Sequence, residues 1–134
     1  MKTLANFSNI LDKKAFINVA LVKKNGRPHV TPLWYDLSEE DKKNNIININ
    51  TATGRIKSIL NEGSNVAACI SDPDNSYKYV GFEGKIISRI EGDEANKHID
   101  SLAKRYLDKD RYPYHQPNQQ RIKLRIKVEK IYAN

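Results

Sequence analysis

The stretch Pro28-His-Val-Thr-Pro-Leu-Trp-Tyr35 combines β-branched, aromatic and proline residues in a pattern typical of a β-strand. Threonine, valine and the aromatic residues suit a pleated surface, and proline interrupts the hydrogen-bond ladder of a sheet. The threonine, proline and aromatic side chains of such a strand have the shape to face a flat ring. We therefore predict a strand from His29 to Leu37 that presents these side chains to a planar ligand.

The flanking segments extend this strand into an antiparallel sheet. Phe16 to Val22 is apolar, and Lys24-Asn-Gly26 predicts a hairpin turn because Asn-Gly tolerates positive φ. An opening segment is predicted to be helical from Ser8, and Lys109 to Gln120 is predicted to be a loop. Further strands are predicted at Ile46–Thr51, Asn65–Ser71, Tyr77–Ile90 and Arg121–Val128, and two further helices after Gly54 and from Gly92–Asp93.

About six strands with short hairpins and two or three helices predict a mainly β fold. A small antiparallel barrel fits better than a parallel α/β sheet, which needs a helix at most crossovers. Closure of the barrel also removes exposed edges. With 134 residues and no long polar tract, residues 1–134 are expected to form one domain. A domain of this size has little surface for a deep pocket of its own, which favours a second subunit.

Two-residue periodicity predicts which side chains of two strands point into the barrel. In the last strand, charged and aliphatic residues alternate strictly from Arg121 to Val128, which predicts a solvated cationic face and an apolar inner face. The predicted inner residues are Ile122, Leu124, Ile126 and Val128, together with Ile47, Ile49 and Thr51 of the earlier strand.

A second motif, Thr51-Ala-Thr-Gly-Arg-Ile-Lys57, has the features of an anion site. The chain leaves a strand, turns at Thr53 and Gly54, and enters a short helix that carries Arg55 and Lys57. Backbone N–H groups, hydroxyls and two cations can then converge on one phosphate. Alternatively, Thr51 is a helix cap or core hydroxyl, and the two cations are solvated helix residues. Together the two motifs predict a phosphorylated redox cofactor.

The net charge of +7 also suits a nucleic-acid-binding protein. The basic residues are scattered and interleaved with acids, however, and no zinc-ligand or RNA-binding sheet motif is present, so an acidic or phosphorylated small ligand explains the charge equally well. The longest apolar run, near Ala15 to Val22, is too short to span a bilayer. The first residues lack a sustained apolar segment, so no secretory signal is expected and the cytoplasm is the predicted location.

Candidate catalytic side chains are sparse. Cys69, the single cysteine, lies in an apolar strand and is predicted to be a small buried side chain. The three histidines, His29, His98 and His115, are isolated in sequence and have no metal-ligand spacing, so no metal site is predicted. Trp34 is more typical of a core or interface residue than of a ring-stacking platform.

Four motifs in order resemble one known family. Pro28 to Tyr35, Asn50 to Lys57, Asp72-Pro-Asp-Asn-Ser-Tyr-Lys-Tyr79 and Ala103-Lys-Arg-Tyr106 are similar to segments of the pyridoxamine 5′-phosphate oxidase-like, FMN-binding split-barrel proteins. The similarity extends from about Leu11 to Tyr132 and is greatest to the branch that uses the deazaflavin coenzyme F420 in place of FMN.

The resemblance implies an oxidoreductase that is a homodimeric, six-stranded split β-barrel with FMN or coenzyme F420 at the subunit interface. The cofactor transfers hydride to a small organic substrate, and no side chain need act as a nucleophile. The chain lacks the arginine-rich motif expected of a true pyridoxamine 5′-phosphate oxidase, so that activity is not expected. The implied contacts are Val30, Thr31 and Pro32 beside the ring, Asn50 and Thr51 as hydrogen-bonding residues, Arg55 and Lys57 at the phosphate, and Tyr79 from the partner subunit.

Two other functions remain open from the sequence. One is an FMN- or F420-binding carrier protein without efficient turnover, which steady turnover of a reduced cofactor would exclude. The other is a basic nucleic-acid-binding barrel, for which binding to single strands would fall steeply with salt and ignore the cofactor.

Overall fold

The structure of the chain, a computed structural model, describes residues 2–54 and 60–134. In those two ranges, seven strands form one antiparallel sheet in the order β2-β1-β5-β6-β7-β4-β3. The strands are β1 (Ile17–Val22), β2 (Pro28–Leu33), β3 (Tyr35–Asp36), β4 (Ile46–Ala52), β5 (Asn65–Asp72), β6 (Asn75–Glu91) and β7 (Arg121–Ala133). The helical segments are a 3₁₀ turn (Leu4–Phe7), α1 (Ser8–Leu11), α2 (Glu39–Lys43) and α3 (Asp93–Leu107).

The sheet closes on itself at Trp34. β2 and β3 lie at opposite edges of the sheet, yet Trp34 alone separates them in sequence. Residues two positions apart are at most about 7 Å from each other, so the two edges must meet and the sheet must curl. Cα atoms of β2 and β4 accordingly come within 8 Å of each other. The mainly β antiparallel barrel is confirmed, but the strand predicted from His29 to Leu37 is divided in two at Trp34.

The inner face of the curled sheet holds the hydrophobic core. The alternation predicted for β7 is confirmed, because its four aliphatic residues are 0–3% exposed. Ile47, Ile49 and Thr51 of β4 lie opposite these residues in register and are equally buried. The other large, fully buried core side chains are Leu4, Leu11, Ile17, Tyr35, Ile70, Phe82 and Ile86.

The opposite face of β4 and β7 is covered by α3 and by the loop that follows it. Ala95, Ile99 and Leu102 form the buried stripe of α3, because their spacing of three and four residues places them on one face of the helix. The solvated cationic face predicted for β7 is therefore wrong for Arg121, which is 8% exposed. The ring of Tyr112, in the loop after α3, lies 5.1 Å from the Arg121 guanidinium.

The charged segment before β4, which lacks apolar periodicity, forms the short helix α2. Ser38 Oγ accepts a hydrogen bond of 3.0 Å from Asp41 N, and the Asp41 carboxylate accepts one of 3.3 Å from Ser38 N. This reciprocal capping satisfies two backbone donors at the helix start. Lys42 is buried, and its Nζ lies 2.6 Å from Asp12 Oδ1. The helix is thus stabilised by polar contacts that a search for hydrophobic spacing does not detect.

Gly84 marks the point where β6 and β7 approach too closely for a side chain. The strand register shifts between Glu83 and Gly84, as expected of a β-bulge. A Cβ atom at Gly84 would overlap the carbonyl oxygen of Lys127, a backbone atom that cannot move aside. Position 84 therefore requires a glycine.

Other predictions meet different outcomes. The helix predicted from Ser8 is α1, and a 3₁₀ turn precedes it. The helix predicted after Gly54 falls on residues 55–59 and lies outside the described residues.

The prediction that Cys69 is a buried thiol is wrong. Cys69 is half-buried, because it points to the outer face of β5 opposite Asn18. No helix within residues 2–54 and 60–134 is long and apolar enough to cross a membrane.

Candidate functional site

The end of β4 presents its two predicted cofactor contacts to opposite sides of the sheet. Adjacent strand residues point to opposite faces, so Thr51 points into the barrel while Asn50 points under α3. Thr51 is 1% exposed, and its Oγ1 has no hydrogen-bond partner in the part of the chain that the structure describes. An unpaired buried hydroxyl is costly, so it is a candidate contact for a bound ligand.

The same alternation divides the strand of the first motif. Thr31 lies opposite Val19, a core residue, and is half-buried on the inner side. Val30 is 60% exposed on the outer side, and Pro32 is exposed on that side as well. The three predicted ring contacts therefore do not share one face of β2: Thr31 points inward, and Val30 and Pro32 point outward.

The structure describes the predicted phosphate site as far as the turn at Thr53 and Gly54. Thr53 N donates to Gln120 O at 2.8 Å, and Gln120 N donates to Thr53 Oγ1 at 3.1 Å. These two bonds fix the end of β4 against the start of β7, and they occupy the Thr53 hydroxyl as an acceptor. Arg55 and Lys57, the two predicted phosphate ligands, lie outside the described residues.

Tyr79, the contact predicted to come from a partner subunit, is half-buried in β6, where it pairs with Ser71 of β5. The structure contains one chain, so the contact itself stays a prediction.

A cavity of about 170 Å³ lies where the end of β2, the outer face of β4 and β7, and α3 meet. Its walls are largely aromatic. The Trp34 ring stacks on Tyr106 at 5.0 Å with an interplanar angle of 6°, and Tyr112 meets Trp34 edge-on at 5.9 Å. Tyr114 meets Tyr112 edge-on at 5.6 Å. Trp34 thus lines a cavity at the barrel closure, a role that the sequence did not favour.

A chain of polar contacts runs from this cavity through the buried layer beneath α3. Arg121 Nε donates to Asn50 Oδ1 at 2.9 Å, and Asn50 Nδ2 donates to Ala95 O at 2.9 Å and faces His98 Nδ1 at 3.1 Å. His98 Nε2 lies 2.9 Å from Asp36 Oδ1. The Asn50 amide is therefore engaged within the protein on both its oxygen and its nitrogen.

Burial lowers the pKa of Arg121 from its ordinary value, and the neighbouring Tyr112 offsets only part of this effect. Burial also raises the pKa of Tyr106, which keeps its hydroxyl protonated; that hydroxyl donates to Ala15 O at 2.5 Å. The cavity thus contains a desolvated cation beside neutral aromatic walls.

Sequence reasoning missed Arg121 and the pairing of Asn50 with His98. Strict alternation in β7 assigned Arg121 to solvent, and only the later loop that carries Tyr112 buries it. His98 is buried, and both of its ring nitrogens contact side chains of the protein, Asn50 and Asp36. No group of three or more His, Cys, Asp or Glu side chains that could hold a metal ion occurs within residues 2–54 and 60–134.

Comparison with known proteins identifies the family. The sequence profile described as Pyridoxamine 5′-phosphate oxidase matches residues 4–134. The chain therefore belongs to the pyridoxamine 5′-phosphate oxidase family, and its curled sheet is the split barrel of that family. No curated protein sequence matches the chain.

Solved structures share the fold at low sequence identity. An F420 reductase is 21% identical, over 93% of this chain and 94% of its own, with a TM-score of 0.73. HupZ from Group A Streptococcus is 17% identical over 99% of this chain and 94% of its own, with a TM-score of 0.64. A Clostridium acetobutylicum protein of the pyridoxinephosphate oxidase family, related to general stress protein 26 of B. subtilis, is 15% identical over 98% and 87%, with a TM-score of 0.66. At these identities the similarity establishes the fold alone.

Proposed function

We propose that the chain is an oxidoreductase that uses FMN or the deazaflavin coenzyme F420 to transfer hydride to a small organic substrate. The observation that carries this proposal is the Thr51 hydroxyl, which is buried just before the turn at Thr53 and Gly54 and has no hydrogen-bond partner within residues 2–54 and 60–134. A lone buried hydroxyl costs about 1–3 kcal/mol, and a hydrogen-bonding ligand would remove that cost. Family membership supports a flavin, and the similar F420 reductase supports the deazaflavin.

In this proposal, the second motif holds the cofactor's phosphate. Arg55 and Lys57 follow the turn at the end of β4 and would pair with the phosphate as charged donors. Thr51 would bond to the part of the cofactor nearest the barrel interior. The amide of Asn50 already bonds to Arg121 and to α3. Asn50 would therefore support this wall of the site without donating a hydrogen bond to the cofactor.

The first motif would flank the ring. Val30 and Pro32 lie on the outer surface of β2, where a partner subunit can cover them, and Thr31 lies on the inner side. When bound, such a cofactor supplies the hydride chemistry itself. The residues of the chain supply position and exclude water. Among the described residues, no hydrogen bond joins a serine or cysteine side chain to a histidine, so no nucleophile is assigned.

We propose a homodimer whose interface includes the outer face of β1 and β2. Val30 is 60% exposed and lies opposite Ala20, and Val22 is 66% exposed and lies opposite Pro28. Neighbouring exposed apolar side chains suit burial against a second copy.

Sedimentation tests this interface. The Val30→Lys variant should shift toward the monomer, whereas Ile87→Lys, which changes an exposed apolar residue of β6, should sediment as the wild type does. Equal sedimentation of both variants would reject this interface.

The experiment that tests the function is a titration of the purified protein with FMN and, separately, with coenzyme F420, followed by ring fluorescence at low salt. Saturable binding of one of them is expected, and absence of binding by both would reject the proposal. Lys57→Ala should weaken the affinity about ten- to hundredfold, as for loss of a charged hydrogen bond. Lys109→Ala, an exposed loop cation, is the matched control and should bind as the wild type does.

Turnover separates an enzyme from a carrier protein. The reduced form of the bound cofactor should be reoxidised steadily when organic acceptors are supplied, and the rate should fall in Lys57→Ala in parallel with binding. Tight binding with no turnover on any acceptor would favour the carrier function instead.

A further inference from the structure

The cavity beside Trp34 contains a buried cation, Arg121, that no carboxylate of the described residues neutralises. Arg121 is 8% exposed, and within residues 2–54 and 60–134 it forms no ion pair. The contacts that it makes there are neutral: its Nε donates to Asn50 Oδ1 at 2.9 Å, and its guanidinium lies 5.1 Å from the centre of the Tyr112 ring. The next two cations along this face of β7 do have acidic partners, Lys123 with Glu94 at 3.2 Å and Arg125 with Asp41 at 3.1 Å, and the last one, Lys127, is exposed.

An unpaired buried charge is unusual, because arginine is almost never fully buried without a partner. Burial lowers the pKa of Arg121, because loss of water around the guanidinium disfavours its charged form. Asn50 fixes the guanidinium from one side, and Asn50 is itself held by Ala95 O and His98. The cation is therefore positioned in advance at the wall of an open cavity of about 170 Å³.

The remaining walls of the cavity suit a flat ring. The Tyr106 ring stacks on Trp34, Tyr112 meets Trp34 edge-on, and Tyr114 meets Tyr112 edge-on. Aromatic rings pack well in offset or edge-to-face arrangements against such walls. The planar fork of arginine matches the two oxygens of a carboxylate better than a point charge does.

We propose that this cavity binds a small aromatic carboxylate, with the carboxylate on Arg121 and the ring against Trp34 and Tyr112. The site is argued from these side chains alone and does not depend on the redox function proposed above. If that function is correct, the aromatic acid occupies the position of the substrate or product.

Trp34 is the single tryptophan of the chain, so its fluorescence reports directly on the cavity. Benzoate is the probe, and benzyl alcohol, which lacks the charge, is the neutral control. Benzoate is expected to change the Trp34 emission saturably in the cofactor-free protein, with an affinity at least about tenfold higher than that of benzyl alcohol. Equal affinities for the two compounds, or no saturable change with benzoate, would overturn the proposal.

Two substitutions at Arg121 test its role. Arg121→Met keeps the length of the side chain and should lower benzoate affinity roughly tenfold to hundredfold, whereas Arg121→Lys should fall between Arg121→Met and the wild type. Arg111→Met removes an exposed cation from the same loop region and should bind benzoate normally. Tyr112→Leu leaves the bond between Arg121 and Asn50 intact, so it should weaken benzoate binding even if Arg121→Met fails to fold. Wild-type affinity in Tyr112→Leu and in a folded Arg121→Met would refute the site.

A second titration, at saturating FMN or F420, separates this site from that of the cofactor. Unchanged or tighter benzoate binding supports a distinct acid site, whereas strict competition would show that the cavity belongs to the cofactor ring and would overturn the proposal. If neither cofactor binds, the redox function fails while the result with benzoate stands.

Discussion

Asn50 and His98, 48 positions apart in the sequence, meet in the buried layer between β4 and α3 with Asn50 Nδ2 3.1 Å from His98 Nδ1. The orientation of the amide follows from its other partner, because Asn50 Oδ1 accepts a hydrogen bond from Arg121 Nε. Nδ2 must then donate to His98 Nδ1, which leaves the imidazole proton on Nε2, where it is donated to Asp36 Oδ1 at 2.9 Å. One amide thus determines both the position of Arg121 and the tautomer of His98.

The tautomer is the first prediction. Long-range ¹H–¹⁵N NMR at neutral pH should show His98 with its proton on Nε2 and a bare Nδ1. Asn50→Asp should change this pattern, because a carboxylate accepts where the amide donated. His115, an exposed loop histidine, serves as the internal reference in the same spectra. A proton found on Nδ1 in the wild type would contradict the orientation derived for Asn50.

Replacing Asn50 should be costly to stability. Asn50→Leu removes the partners of Ala95 O, His98 Nδ1 and Arg121 Nε at once, and each buried group left unpaired costs about 1–3 kcal/mol. We expect the free energy of unfolding to fall by roughly 3 kcal/mol or more in urea denaturation. Asn96→Ala, which changes an exposed asparagine of α3, should alter stability little. Equal stability of the two variants would mean that the polar chain contributes nothing.

Removal of the Thr51 hydroxyl and removal of the nearby Thr53 hydroxyl should change the stability of the protein in opposite directions. Thr51→Val keeps the shape of the side chain and removes a hydroxyl without a described partner, so the cofactor-free protein should keep or gain stability, by up to about 1 kcal/mol. Thr53→Val loses the acceptor for Gln120 N and should be destabilised by about 1 kcal/mol. Thermal and urea unfolding measure both variants. A clearly destabilised Thr51→Val would show that the hydroxyl already has a partner.

The same Thr51→Val variant also tests whether Thr51 contacts the cofactor. If Thr51 bonds to the cofactor, the affinity for FMN or F420 should fall while stability without cofactor does not. Unchanged affinity would remove Thr51 from the proposed site and leave the phosphate ligands to be tested separately.

Much of the barrel follows from periodicity in the sequence, and the site does not. Alternation placed the inner residues of β4 and β7 correctly because burial on one face of a strand is a local signal. It could not reveal that Arg121 is covered, since the cover comes from Tyr112 in a loop that has no periodicity. It could not reveal the break at Trp34 either, because that break results from closure of the sheet edges.

The two short polar features were equally hard to predict. α2 is stabilised by Ser38 and Asp41 capping each other and by buried Lys42, and not by an apolar stripe. The family resemblance implied Asn50 and Thr51 as a pair of cofactor contacts, yet adjacent residues of a strand place their side chains on opposite faces.

Gly84 should be far less replaceable than Gly81, although both lie in β6. A Cβ at Gly84 would overlap the Lys127 carbonyl oxygen, whereas a Cβ at Gly81 would lie 3.1 Å from the Tyr132 ring, an exposed side chain that can move. Gly84→Ala should lose about 2–3 kcal/mol of unfolding free energy, the scale of an overpacked core, and Gly81→Ala less than about 1 kcal/mol. Urea denaturation of the two variants side by side decides this, and the reverse order would refute the close approach of β6 to β7.

Stability in acid should depend on Asp41. Burial acts to raise the pKa of this carboxyl, but hydrogen bonds from Ser38 N, Asn48 and Arg125 outweigh it and hold the pKa below its ordinary value of 3.8. A lowered pKa stabilises the folded state at every pH above the unfolded-state value, and this contribution is lost as pH falls through the folded-state value.

Asp41→Asn should therefore be less stable than the wild type by roughly 1.5–3 kcal/mol at pH 7, and the difference should shrink below pH 3.8. Urea denaturation at a series of pH values measures both curves. Glu40→Gln, at an exposed position of the same helix, is the matched control and should follow the wild type. A difference between Asp41→Asn and the wild type that stays constant down to the lowest pH would show that the charge of Asp41 is not what stabilises α2 against β4 and β7.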